Sequence, residues 1–463
     1  MAMQWIKRLM ESPRLLIWLG IVVFAYSWTA SLVLQLLIIP ILFSNPEAAE
    51  GLVVLDSTGF NESAKAKAAE ISSFGWSAWE LRPNGQSPVG IASMFYVILG
   101  SAPTSMLPFN AAVHALSACL VMAILRNFFS AIPSLIGSLA FALNPAAFEW
   151  ISQIHRDGVF ILGNLLLFMG ILRFINEAGE TDNKSLKRWA GVMLPPIVGS
   201  LLIWVARVYW VQVALLTVLL IAALFMIAVI FRKNAVDRRR VVRSMVMFVG
   251  LGLFQLWLYY VHTPFESDNL GNASYVINIY KSSESKGQSY HKRIDVKWNR
   301  SDWLPEAFEQ RFFRLANARW GALNSGGETL MDESHALDSA KAIIEYLPRA
   351  LQLGLLSPLP EFWGGQGSTP AMTVGRRVMG VVTLVFYACL LGLVVGIYQM
   401  RNKLQLWIVF SMCSIGIVVY TVAYPNIGAL VRFRYGFYML LVGYGAAFWV
   451  DLWMKRQRRS IGI

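Results

Sequence analysis

The sequence predicts an all-α polytopic membrane protein with about ten transmembrane helices, interfacial helices and a long outer loop region. Three observations carry that prediction. The 463 residues are 56% hydrophobic and only 14% charged, which is too apolar for an ordinary soluble domain. Apolar runs long enough to cross a bilayer recur through the chain. The formal charge of +13 gathers in the short polar hops between those runs, so it signals topology rather than a nucleic-acid partner, and none is expected.

Taken in order, the runs lie near 15–43, 107–126, 131–151, 158–175, 189–206, 210–231, 245–262, 376–400, 404–423 and 435–454. The first is longer than the core of a signal peptide and has no cleavage pattern, so it is expected to stay in the mature protein. Ile91–Gly100 is apolar but short, bracketed by Ser87-Pro88 and Ala102-Pro103, as an interfacial or re-entrant helix would be. Leaving it out of the span count puts Lys7, Arg8, Arg14, Arg126, Lys184, Lys187, Arg188, the hop from Arg232 to Arg243, Arg401, Lys403 and the tail from Lys455 to Arg459 on one face. Counting it throws the Arg232 hop to the other side. The first parity places both termini in the cytoplasm.

That parity leaves 44–106, 152–157, the hinge at Arg207, 263–372 and 424–434 outside. Three blocks follow: 1–262, a transmembrane module with the first outer loop at 44–106; 263–372, a long outer region that either folds as a cap or runs along the surface; and 373–463, the C-terminal helices. Within the outer region, 264–302 alternates polar and β-branched residues as a small hairpin would. Leu304–Arg319 has the period of an amphipathic helix with Phe308, Phe312 and Leu315 on one face. Cys119, Cys389 and Cys413 fall inside apolar runs, so no disulfide framework is expected. The sequons at Asn61, Asn183 and Asn272 are weak signals. Phosphate-cradling, dinucleotide-binding and nucleophile-elbow motifs are absent, which argues against an ATP-driven transporter and against a nucleotide-sugar enzyme with a cytoplasmic domain.

The candidate chemistry begins at Asp56, in the polar break Leu55–Ala64. Read locally, Asp56, Ser57 or Thr58 is first of all an N-cap for a helix over Glu62–Phe74. A carboxylate at a membrane surface also suits proton removal from a hydroxyl acceptor, or binding of a divalent ion. Glu62 reads as a first-turn acid that complements the helix dipole. His155-Arg156-Asp157 closes the third run, and its Asp either caps the next helix or pairs inside the protein. Arg207, Arg376, Arg377, Arg432 and Arg434 gather at outer helix ends, against the positive-inside trend. As a group they suit an anion such as a lipid phosphate; singly, snorkelling or pairing with Asp157 and Glu149 accounts for each. His114, His262, His291 and His335 show no metal spacing.

The first-loop Asp, the Ser87-Pro88-Val89 to Leu99-Gly100-Ser101 stretch, Asn144-Pro145 leading to Arg156-Asp157, and Gly428-x3-Arg432-Phe433-Arg434-Tyr435 occur in an order that resembles the membrane-embedded GT-C glycosyltransferases. The branch containing protein O-mannosyltransferases and aminoarabinose transferases is the one it looks like. Asn317-Ala318-Arg319-Trp320-Gly321, with Leu356-Ser357-Pro358-Leu359-Pro360, is similar to bacterial members associated with surface-polysaccharide assembly. The resemblance implies transfer from a polyprenyl-phosphate- or pyrophosphate-linked sugar to a saccharide or lipid-linked acceptor, at the periplasmic face of a bacterial inner membrane. It makes Asp56 the base and Asp157 a second acid, with Arg156, Arg207, Arg432 and Arg434 on the donor phosphate. Glu62, His155, Tyr209, Arg319 and Arg376 complete a substrate-binding set. The first-loop motif departs from the commoner acidic pair, because Ser57 follows Asp56, and this leaves a divalent-metal requirement open. The rival readings are a transporter or flippase of lipid-linked saccharides and a membrane scaffold; the charges gather at one face and the runs show no paired repeat, which favours an enzyme.

Overall fold

A computed structural model describes residues 14–43, 46–53, 55–177, 186–231, 238–262, 274–283, 288–327, 329–367 and 370–460. Lys7, Arg8, Lys184, Arg232 and Lys233, the start of the predicted hairpin segment at 264–273, and the sequons at Asn183 and Asn272 lie outside the described residues. The chain is a helical, multi-pass membrane protein. Among the described residues eight helices are long and apolar enough to cross a membrane, or nine if a bent pair counts as one span.

The chain divides into two compact units, Met1–Pro264 with Gly392–Ser411 and Met439–Ile463, and Phe265–Leu391 with Met412–Tyr438. In the first unit α1 (Arg14–Leu42) is a span interrupted by a π-helical turn over Leu34–Ile38. Such a turn admits one extra residue and re-aims the side chains around it. Gln35, inside it, is 1% exposed.

Helix α2 (Leu55–Phe74) begins six or seven residues earlier than the sequence suggests, so the polar break from Leu55 to Ala64 is its first half rather than a loop. Its apolar stripe explains why it forms. Ala64, Ala68 and Ile71 recur at helical spacing and are buried. The first two join Val89, Ala92 and Tyr96 of α3 (Ser87–Leu99) in one cluster, closed by Ile154. Helix α3 has 13 residues, too few to span a bilayer.

Helix α4 (Leu107–Leu125) is followed by α5 (Ala131–Ala142) and α6 (Pro145–Ile151), which meet at a 51° bend. Pro145 cannot continue the preceding helix, and the Asn144 side chain accepts from the Ala146 amide to start the next. Helices α7 (Asp157–Glu177), α8 (Leu186–Ala206), α9 (Trp210–Phe231) and α10 (Arg238–His262) complete the run. The ten apolar runs of the sequence are thus eight plain spans, the bent pair, and α8, whose apolar part Gly191–Ala206 is shorter than the others.

The second unit opens with an antiparallel hairpin, β1 (Ser274–Ser283) and β2 (Gln288–Lys297), in which Ile277 faces Ile294. Helix α11 (Glu306–Asn324) packs on it, with Tyr275 stacked on Trp320. The buried face of α11 is Glu309, Ala316, Arg319, Trp320 and Leu323, not the predicted Phe308, Phe312 and Leu315. Two buried charges make the difference, each held by hydrogen bonds, although Glu309 Oε2 is buried without a partner. The Glu309 carboxylate accepts from Trp298 Nε1 at 2.9 Å and from the Ser301 amide at 3.2 Å. Arg319 is satisfied by carbonyls, described below. Helices α12 (Ala340–Leu356), α13 (Pro370–Met400), α14 (Leu404–Ala423), α15 (Ile427–Phe433) and α16 (Tyr435–Ser460) follow. Residues 373–463, one block in the sequence reading, are shared between the two units.

Candidate functional site

The site is built around the irregular stretch between α6 and α7. A break in a helix at membrane depth exposes carbonyls that water cannot easily reach, so side chains must satisfy them. Five consecutive carbonyls here are claimed that way. Asn110 Nδ2, on α4, donates to Trp150 O at 3.3 Å, Ile151 O at 3.1 Å and Gln153 O at 2.8 Å. Gln35 Nε2 and Gln153 Nε2 donate to Ser152 O, and Ser57 Oγ donates to Ile154 O at 3.2 Å.

The stretch ends in an ion pair. Asp157 and Arg207 are each 2% exposed, and Arg207 Nη2 donates to Asp157 Oδ1. His155 Nδ1 lies 3.5 Å from Asp157 Oδ2, with its ring edge-on to Phe60 of α2. Arg207 Nη1 donates to the Tyr209 hydroxyl at 3.0 Å, and its guanidinium sits 5.0 Å from the centre of the Phe160 ring. Helix geometry explains the pairing, because Asp157 opens α7 while Arg207 follows the end of α8, and these two helices run side by side. Gly163 and Gly199 allow that approach: a Cβ on Gly199 would stand 2.6 Å from the Gly163 carbonyl.

Asp56 is different in kind. It sits in the first turn of α2 and is exposed, while the next residue, Ser57, is fully buried and fastened to Ile154. The structure therefore brings the segments of both acids to the same end of the first unit, one carboxylate exposed and one buried against Arg207. Glu62 lies on the exposed face of α2. Asn61 is 3% exposed, donating to Glu50 and accepting from the Tyr96 hydroxyl, so its sequon is closed to modification.

Beside this lies a pair of arginines of which the sequence analysis named only one. Arg156 Nη1 donates to the Gln86 side chain at 3.3 Å, just ahead of α3. Arg82 lies over the Trp204 ring at 5.0 Å, and its Nε is buried without a hydrogen-bond partner. Burial first, and then the charge of Arg156, push the Arg82 guanidinium below its usual pKa. Among the described residues neither arginine forms an ion pair with a carboxylate. Two neighbouring guanidiniums have the donor geometry that suits an anion with several oxygens. The signal in the sequence was an outer arginine beside the turn Pro83-Asn84-Gly85.

Other expected phosphate ligands are otherwise engaged. Arg207 is the counter-ion of Asp157. In the second unit Arg434, 2% exposed, sends its two terminal nitrogens to the carbonyls of Leu353, Gly354 and Ser357, at the end of α12. It ties off a helix C-terminus, and those donors are spent on its carbonyls. Arg319 is fully buried and donates to His335 O, Val422 O and Asp332 O, bracing three segments of the second unit. Arg376 donates to Gln366 O at 2.6 Å, and Arg432 lies over the Phe433 ring at 4.8 Å. Among the described residues no group of three or more His, Cys, Asp or Glu forms a metal-ligand set. Asp157 spends one oxygen on Arg207, so the described residues here do not fit the divalent ion left open by the sequence.

No known family model matches the chain, and no curated protein matches it. Among solved structures, ArnT from Cupriavidus metallidurans, in a crystal structure bound to undecaprenyl phosphate, is similar at 13% identity over 95% of this chain and 79% of that one, with a TM-score of 0.35.

Proposed function

We propose that the chain is a membrane-embedded glycosyltransferase of the GT-C type. It moves a sugar or oligosaccharide from a polyprenyl-phosphate or pyrophosphate donor to an acceptor at the periplasmic face of a bacterial inner membrane, in surface-polysaccharide or glycolipid assembly. One observation supports the reading above the others: an exposed carboxylate, Asp56, stands next to Ser57, which is fastened to the loop that carries Arg156 and the buried Asp157, close to Arg82 and with Arg207 paired to Asp157.

Each part has a role in a single displacement. An Asp56 carboxylate oxygen accepts the proton of the acceptor hydroxyl as that oxygen attacks the anomeric carbon. The bond from that carbon to the phosphate oxygen breaks, and its electron pair leaves with the phosphate, held by Arg156 and Arg82. The configuration at the anomeric carbon inverts. Asp157 does not act as base, since it is buried against Arg207; it holds the end of α7, and with it Arg156, in place.

The test is transfer of radiolabelled sugar from a polyprenyl-linked donor by protein in lipid nanodiscs. Asp56→Asn should lower kcat by about 100-fold or more. Arg82→Gln and Arg156→Gln should raise KM for the donor. Full transfer by a folded Asp56→Asn protein would sink the reading.

A further inference from the structure

We propose that Gln153 is a positioning residue that sets where Asp56 stands relative to Asp157; this rests on the reading of Asp56 as the base. Gln153 is 1% exposed and carries no charge, and no chemical role recommends it. Its contacts do. Its Oε1 accepts from the Val53 amide at 3.2 Å, and its Nε2 donates to the Gly51 carbonyl at 2.9 Å. One side-chain amide therefore takes both the donor and the acceptor of 51–53, as the backbone of a neighbouring strand would.

The two ends of this bridge matter. Val53 is three residues before Asp56, and Gln153 is four before Asp157. The bridge stitches the approach to one acid onto the approach to the other. Ser57, on the far side of Asp56, adds the second attachment through Ile154 O, so Asp56 is held between two anchors on one loop. The loop itself is braced from behind. Asn110 Nδ2 holds the Gln153 carbonyl at 2.8 Å, and Gln35, from the π-helical turn, donates to Ser152 O at 2.5 Å.

Close packing leaves no slack in the frame. A Cβ on Gly51, whose φ is +78°, would stand 2.7 Å from Gln35 Cβ and from the Gln35 carbonyl, so only glycine lets the 51–53 stretch lie this close. Gln35, Gly51 and Gln153 therefore form one interlocked frame, in which the Gln153 side chain hydrogen-bonds the 51–53 backbone from within the loop that carries Asp157. The backbone on which the Asp56 carboxylate stands sets where it can reach, and a shift of about 1 Å can cost about 100-fold in rate. Substrate binding by Arg82 and Arg156 is not routed through this amide.

The experiment substitutes Gln153→Leu, close in volume and unable to bridge, and Ser57→Ala, which removes only one hydroxyl. Both are measured in nanodiscs beside Asp56→Asn and the double variant Asp56→Asn/Gln153→Leu. Gln153→Leu should lower kcat by about 10- to 100-fold with donor KM within about twofold. Ser57→Ala should lower kcat less, in the same direction, and being a small deletion it stands in should Gln153→Leu fail to fold. Hydrogen exchange at the amides of 51–56 should quicken in Gln153→Leu. The double variant should be no slower than Asp56→Asn alone, because a residue that works only through Asp56 has nothing left to position. An unchanged kcat, a loss that adds to that of Asp56→Asn, or unchanged exchange at 51–56 would overturn the inference. Should Asp56→Asn transfer at full rate, the reading of the base fails and this inference falls with it; should Asp56→Asn be inactive and Gln153→Leu fully active, only the inference falls.

Discussion

Replacing Arg207 by Met should destabilise the first unit by about 3–5 kcal/mol, the cost of leaving one half of a buried ion pair behind. The magnitude follows from the surroundings. Both partners are 2% exposed, so water cannot take over the role of the guanidinium. His155 Nδ1 lies farther from the carboxylate, at 3.5 Å, and carries a charge only when protonated. Arg207→Met also removes the hydrogen bond to Tyr209 and the contact with the Phe160 ring, which adds about 0.5–2 kcal/mol. The assay is unfolding in detergent micelles, read for Arg207→Met, Asp157→Leu and the double variant. Each single change should be strongly destabilising, whereas the double variant should recover most of the loss, since a well-packed apolar pair often replaces a buried ion pair without penalty. Single losses below about 1 kcal/mol, as exposed pairs show, would refute the assignment of a buried pair. So would losses that simply add.

Other outcomes follow from single contacts. Arg434→Lys should cost about 1–3 kcal/mol in a thermal melt, because an ammonium cannot reach the carbonyls of both Gly354 and Ser357 and leaves a buried acceptor unmet. Gly90→Ala should cost about 1–3 kcal/mol, since its Cβ would lie 2.3 Å from the Leu81 carbonyl and 2.4 Å from that of Glu80. It should also weaken donor binding by displacing Arg82. The Asp332 carboxyl is pushed up by burial, but hydrogen bonds from Arg349 and Tyr346 outweigh that and hold it below its usual pKa. A carboxyl lowered on folding stabilises at pH above its unfolded value and loses that contribution as pH falls through the folded one. The stability gap between the natural chain and Asp332→Asn, measured by thermal melts from pH 6 to 3, should therefore stay constant at first and shrink below about pH 4.

The sequence carries the membrane class and nearly every helix, because burial in lipid requires long apolar runs whatever their neighbours are. It also carries the short helix at Ser87–Leu99 and the strands at 274–297, where the flanking prolines and the alternation are local signals. The start of α2 was not legible. Asp56-Ser57-Thr58-Gly59 reads as a break, and only the attachment of Ser57 to Ile154, 97 residues away, makes it helical. The buried face of α11 was hidden for a related reason: a charge counts as exposed in any pattern until its partners are known.

Among the site residues, the sequence by itself singled out Asp56, Asp157, Arg156 and Arg207 as charges at the ends of apolar runs, where a charge needs an explanation. Residue type and topology suffice for that. It could not sort them. Arg207 and Arg434 look alike in sequence, yet one meets a carboxylate and the other the end of a helix; Arg82 and Arg156 meet no acid. Gln153 and Asn110 carry no charge and gave no signal. Whether a guanidinium is neutralised, and which carbonyl an amide satisfies, depends on partners far apart in the chain, and folding alone brings these together.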